Sequence, residues 1–136
     1  MQCNETAKYL PVNECHQLLA SVSFGRIVYT RQAMPAVDVV NFALDGGDIV
    51  IRTDAAGQLA AATRAAVVAF EVDDIGAIGH CGWSVTAVGR SREVTDPEEI
   101  TRLRRIGLRP GPPGEEEHFI KITPGILNGQ RLAAWS

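Results

Sequence analysis

The turn Asp45-Gly46-Gly47 constrains this chain more than any other stretch, because it lies between two apolar, β-branched segments. Before it runs Val37-Asp38-Val39-Val40-Asn41-Phe42-Ala43-Leu44, and after it Asp48-Ile49-Val50-Ile51-Arg52-Thr53. Glycine accepts the positive φ that tight hairpin turns need, so the two segments are expected to pair as antiparallel strands. A hairpin of this kind must bury one face, and 136 residues suffice for one domain with its own core. At Thr53 the hairpin gives way to an Ala-rich stretch, and a short helix is expected over residues 56–63. Amides at a helix N-terminus lack intrahelical acceptors and sit at the positive end of the dipole, so they attract anions. Arg52 and Thr53 at this joint therefore have two readings. They hold a phosphate, or the joint is a plain hairpin followed by a helix that Asp54 caps.

The remaining chain extends the β pattern. Residues 1–10 are expected to form a loosely held arm. Val12, Cys15, Leu18, Leu19 and Val22 recur at helical spacing, which predicts a helix over 11–23 with Pro11 at its start. Strands are expected over 26–31, 37–44, 48–53, 66–72, 83–94 and 118–123, with an extension over 126–132 beyond Pro124-Gly125. Residues 32–35 read as a turn and 73–82 as a glycine-bearing loop. The run Ala66-Val67-Val68-Ala69-Phe70-Glu71-Val72 is almost wholly apolar, which predicts cover on both faces. Gly89 is expected to allow a bend or a bulge. Asp96-Pro97-Glu98-Glu99 carries three helix-start signals, and the helix should run over 97–106. Residues 108–114 are too rich in Pro and Gly for regular structure, and Glu115-Glu116-Glu117 reads as a solvated run. The fold class is therefore mainly β with short helices (α+β). About six largely antiparallel strands close into a barrel with helices at the rim, in a single domain over residues 1–136.

Composition excludes several functions. The chain is 46% apolar and 21% charged, with a net charge of −3 and no basic block, so no nucleic-acid surface is expected. No apolar run is long enough to span a membrane. The first residues lack the charged and apolar regions of a signal peptide, so the cytoplasm is the expected compartment. Cys3, Cys15 and Cys81 are odd in number, and neither Cys15-His16 nor His80-Cys81 has the two-residue gap common between ligands, so no metal site is expected. His16, His80 and His118 are scattered, there is no phosphate-cradling Gly-rich loop, and Ser84 is not a nucleophile elbow. Side-chain acid–base chemistry is not visible. A cofactor that brings its own chemistry fits better.

Taken in order, the residues resemble the flavin-binding split-barrel family related to pyridoxamine 5′-phosphate oxidase, in a compact actinobacterial type. The markers are Glu14-Cys15 with Leu18-Leu19, Gly25-Arg26, Val40-Asn41-Phe42, Asp45-Gly46, Ile51-Arg52-Thr53 with Gly57 and Leu59, and Val68 to Asp73. They continue through Gly82-Trp83-Ser84-Val85, Gly89-Arg90, Val94-Thr95-Asp96, Pro113-Gly114, His118-Phe119, Ile126, Gly129 and Arg131. The resemblance implies a split barrel in a homodimer, with FMN at the subunit interface and hydride transfer between flavin N5 and a small-molecule substrate that the sequence does not name. It also implies that the backbone of Val39, Val40 and Asn41 contacts the flavin edge, that Arg52 and Thr53 hold the phosphate, and that Gln58 and Leu59 form the next contact segment. Trp83 would lie near the interface and cofactor. Gln58 stands where many relatives carry lysine, Val39 where proline is common before the Val-Asn pair, and Gly111 where tryptophan is frequent. Deazaflavin is the alternative cofactor. A non-catalytic dimer that binds flavin or haem weakly, or nothing, is the alternative of another class.

Overall fold

The computed structural model describes residues 9–54, 59, 62–75, 82–108 and 117–132. Six strands, β1 (Phe24–Arg31), β2 (Met34–Asp45), β3 (Asp48–Asp54), β4 (Ala65–Ile75), β5 (Gly82–Glu93) and β6 (Glu117–Leu132), close into a barrel in the order β1-β2-β3-β6-β5-β4. Every pairing is antiparallel. Helix α1 (Val12–Leu19) precedes β1, and helix α2 (Pro97–Arg104) links β5 to β6. The expected split barrel is the fold observed. No helix among the described residues is long and apolar enough to cross a membrane.

Local signals explain most boundaries. Asp45 pairs with Asp48, so Gly46-Gly47 form a two-residue turn, and Gly46 has φ +63°. Asp96 caps α2 by accepting from the Glu99 amide at 3.3 Å, with Pro97 at the first helical position. Elsewhere tertiary context moves the boundaries. The turn expected over 32–35 contracts to Gln32 and Ala33, both at positive φ, because Arg31 pairs with Met34 and Thr30 with Pro35. Pro35 is tolerated there because among the described residues only β1 pairs with this part of β2, and an edge position needs no second donor. Pro124-Gly125 does not interrupt β6. Gly89 pairs with Pro124 and Val88 with Ile126, so Gly125 is the extra residue of a bulge and the strand runs on. A Cβ at Gly89 would lie 1.9 Å from the Thr123 carbonyl oxygen, so glycine is required where the two backbones close in.

The helices are shorter than their apolar spacing suggests, ending at Leu19 and Arg104. Of the expected arm, Tyr9 bridges Gln130 and the Leu10 amide donates to the Gly129 carbonyl at 3.0 Å. Leu59 and Ala62 are helical, and the rest of the helix expected over 56–63 lies outside the described residues except for Thr63, whose amide and hydroxyl both donate to the Leu59 carbonyl. Residues 1–8, 76–81 and 109–116, with Cys3, His80, Cys81 and Gly111, also lie outside the description.

Two cores result. The barrel interior holds Ile27, Phe42, Ile49, Ile51, Phe70, Val72, Val85, Ala87, Ile120 and Ile122, with Phe42 and Phe70 meeting edge to face at 4.9 Å. Cys15 is a buried thiol against this core, and burial pushes its ionisation up. Outside the barrel wall, Leu103 of α2 packs in a second cluster with Val50, Val94, Leu108 and Phe119. The expectation that β4 is covered on both faces is corrected here. Val68, Phe70 and Val72 face the barrel, but Val67 on the other face is 61% exposed, because among the described residues no layer lies over that side. The apolar residues continue outward from strand to strand, since Val37 pairs with Val28, Val28 with Ala69, Ala69 with Val88, and Val88 with Ile126.

Candidate functional site

The β2–β3 ladder is short. It joins Phe42–Asp45 to Asp48–Ile51, and beyond the Phe42–Ile51 pair the two strands find different neighbours. Asn41 and the residues before it pair with β1 alone, while Arg52, Thr53 and Asp54 pair with β6. An edge strand aims the N–H and C=O groups of alternate residues away from its partner. The segment from Val39 to Asn41 is thus an open backbone edge among the described residues, and Arg52-Thr53 leaves the same junction on the other strand.

The sequence-predicted residues divide across this junction. Val39 is 68% exposed and stands opposite Arg26 on the outer wall, whereas Val40 packs against the barrel core opposite Gly25. Asn41 is half-buried opposite Phe24. Neighbouring Asp38 turns inward and accepts a hydrogen bond from the Tyr29 hydroxyl at 2.7 Å. Burial, then Asp38, pushes the Tyr29 ionisation up. Arg52 pairs with Phe119, its Nη1 donates to the Leu108 carbonyl at 3.0 Å, and its guanidinium lies 5.7 Å from the Phe119 ring centre. Thr53 pairs with His118. Since strand side chains alternate, Arg52 belongs to the face that α2 covers and Thr53 to the opposite face. The side chain of Leu59 is buried in the core, and Gln58 lies outside the described residues. Trp83 packs against the barrel core opposite Arg131, near one end of β6, while Arg52 stands opposite Phe119 near the other. A single chain therefore does not bring Trp83 to Arg52.

Three polar groups were not singled out from the sequence. On the Thr53 side, His118 Nδ1 hydrogen-bonds Glu93 Oε1, and Arg64 Nε lies 3.5 Å from Glu93 Oε2. On the outer wall beside Val39, Arg26 Nη1 donates to Asp73 Oδ2 at 2.7 Å and reaches Glu71 Oε2 at 3.4 Å. Desolvation, reinforced by Asp73, pushes the Glu71 carboxyl up to about 7 against the opposing pull of Arg26. The alternation in Phe70-Glu71-Val72-Asp73 was the available signal, because residues two apart share a face. Under α2, buried Lys121 bonds Asp45 Oδ2 at 2.6 Å and Glu99 Oε2 at 2.7 Å. Arg102 grips Asp45 through both terminal nitrogens, at 2.6 and 2.9 Å. This last group pins α2 to the barrel. Among the described residues no set of three His, Cys, Asp or Glu side chains could hold a metal.

A family model described as pyridoxamine 5′-phosphate oxidase matches residues 11–131. The uncharacterized protein Rv0080 of Mycobacterium tuberculosis is 37% identical over 127 residues, covering 90% of this chain and 83% of the relative. Among solved structures, the FAD binding protein from Mycobacterium smegmatis superposes with a TM-score of 0.81 at 30% identity, over 94% of this chain and 99% of that one. A candidate pyridoxamine 5′-phosphate oxidase from Corynebacterium glutamicum gives 0.80 at 27% identity, over 98% and 99%. The chain belongs to the flavin-binding, pyridoxamine 5′-phosphate oxidase-like split-barrel family.

Proposed function

We propose that this protein binds FMN at the β2–β3 junction, as a homodimer in the cytoplasm, and serves as an oxidoreductase for a small molecule. The observation that carries this reading is the divergence of the two strands. It leaves the Val39–Asn41 backbone without a β3 partner beside a strand end that carries a guanidinium and a hydroxyl. The residues fit the group. Open backbone amides and carbonyls suit the polar edge of an isoalloxazine ring, and Arg52 and Thr53 are donors of the kind that hold phosphate. When bound, the flavin supplies hydride transfer at N5. Among the chain's own residues, Val39 offers an apolar contact on the outer wall, Asn41 orients, and Arg52, fixed by Leu108 and Phe119, provides charge in a set position.

The dimer is supported by the apolar outer surface of β1, β2 and β4, where Val37, Val39 and Val67 are exposed around Val28 and Ala69. Surfaces of this kind mark association sites. A second copy would bring its own Trp83 from elsewhere on the barrel, and this is how that residue would reach the cofactor. FAD is the second reading, favoured by the description of the M. smegmatis relative.

The test is a visible spectrum of the purified protein, followed by titration with FMN, FAD and the deazaflavin. FMN should bind, and Arg52→Ala should weaken it by more than Thr53→Ala. A colourless protein whose tryptophan emission responds to none of the three would end the flavin reading, and a Soret band would point to haem. Sedimentation should give a dimer that Val37→Asp dissociates. A monomer at all concentrations would refute the assembly.

A further inference from the structure

The proposed phosphate segment carries a single cationic side chain, Arg52, because Thr53 and Gln58 are neutral. The structure places two basic side chains on the Thr53 side that the site residues named so far do not include. Thr53 and His118 are register partners on β3 and β6, so their side chains share a face at neighbouring positions. The imidazole is not free to turn, since Nδ1 is bonded to Glu93 Oε1 on the adjacent strand β5. A carboxylate on one ring nitrogen fixes the ring and directs the other outward as the ligand-facing atom. Arg64, just before β4, reaches the second oxygen of the same carboxylate through Nε, and it is 62% exposed. One acidic group thus holds two basic ones, and His118, Arg64 and Glu93 together carry net positive charge whenever the imidazole is protonated.

We propose that His118, oriented by Glu93 and seconded by Arg64, is a phosphate-binding residue that supplies, on the Thr53 side of the site, the charge that Gln58 does not. This rests on the reading that Arg52-Thr53 is the phosphate segment. Arg52 approaches from the face of Phe119 and Leu108, and His118 from the face of Thr53, so the guanidinium and the imidazole bracket the end of β3. With both ring nitrogens protonated, Nδ1 donates to Glu93 and Nε2 donates to a phosphate oxygen. No covalent step is involved.

The experiment compares FMN with riboflavin, which has the same ring and no phosphate, by flavin fluorescence titration of the intact protein. Wild-type protein should prefer FMN. His118→Ala should lower FMN affinity by about tenfold, the range of one charge-assisted hydrogen bond, and leave riboflavin unchanged. Arg64→Ala removes an exposed group and keeps the test open if His118→Ala misfolds. It should lower FMN affinity about threefold, again without effect on riboflavin. If the wild type binds FMN in preference to riboflavin but both variants keep that preference, the inference falls and the phosphate segment stands. If riboflavin affinity drops in step with FMN, His118 acts through the fold and the inference also falls. If the wild type binds neither flavin, or binds both equally, the underlying reading fails and takes the inference with it.

Discussion

Lys121→Met is expected to destabilise the protein by about 2–3 kcal/mol at pH 7. Lys121 is 4% exposed, and its ammonium sits between Asp45 and Glu99 at 2.6 and 2.7 Å. Removing one partner of a buried ion pair typically costs roughly 3–5 kcal/mol, because the remaining charge is left desolvated. Here the loss is smaller for a structural reason. Asp45 keeps Arg102 and Glu99 keeps Arg92, and both carboxylates retain some contact with water. Methionine preserves most of the stem, which lies on the same face of β6 as Phe119. In a chain of this length the change should lower Tm by about 8–12 °C.

The pH dependence of the difference is the sharper test. Hydrogen bonds from Arg102 and then Lys121 hold the Asp45 carboxyl well below its usual range. Lys121 and then Arg92 lower Glu99. A depressed carboxyl contributes stability that is present above its unfolded pKa and is lost as pH falls through the folded value. Burial works against the Lys121 ammonium, but its bonds to Asp45 and Glu99 outweigh that effect and raise it. Its contribution is therefore complete below the usual lysine range and lost only in strong base. Urea unfolding at pH 7 and pH 3 should show the gap between wild type and Lys121→Met shrinking at the acid end. A gap that is the same at both pH values would refute the electrostatic account and leave only lost packing.

Glu71→Gln should do the opposite on the alkaline side. The folded carboxyl is raised to about 7, so the folded state holds a proton that the unfolded chain releases, and wild-type stability should fall between about pH 4.5 and 7. After discounting for partial exposure, the variant should be about 1–2 kcal/mol more stable than wild type at pH 8 and close to it at pH 5, as read by urea unfolding. Gly89→Ala should cost about 3 kcal/mol or abolish soluble expression, because the Thr123 carbonyl belongs to the ladder and cannot withdraw. Circular dichroism melting would detect this. Ala33→Gly should add about 0.5–1 kcal/mol, since alanine holds φ +63° in the β1–β2 turn and glycine takes that conformation without a Cβ clash. An unchanged Tm would mean that the turn relaxes.

The parts of the fold visible in the sequence are those decided within a few residues. Gly46-Gly47, the Asp96-Pro97 helix start and the β-branched runs each carry their own physical cause. The parts that were hidden depend on partners far along the chain. Pro124-Gly125 looks like a break until β5 offers Gly89, whose missing side chain lets the strands meet across the bulge. The apolar run in β4 reads as a doubly covered strand, because composition cannot say whether the second layer belongs to the same chain. Lys121 looks like an ordinary exposed residue in an alternating strand. Only the docking of α2, which brings Glu99 beside the Asp45 hairpin, turns it into the centre of an ion-pair group.

The candidate site shows the same division in a single dipeptide. Arg52 and Thr53 are adjacent in sequence and invite treatment as one anion-binding unit. Strand alternation separates them, giving Arg52 the environment of Phe119 and Leu108 and giving Thr53 that of His118. A phosphate held by both must sit past the end of β3, where the two faces meet, and not on either face. In the proposed site its affinity is tuned by the register partner on β6, a residue more than sixty positions away that no reading of residues 36–64 alone could supply. The short β2–β3 ladder matters for the same reason. By stopping at Phe42 and Ile51 it leaves the backbone of β2 before Phe42 without a β3 partner, while Arg52 and Thr53 continue the β3–β6 ladder that begins at Ile49, so the two halves of the proposed site part at one point in the sheet.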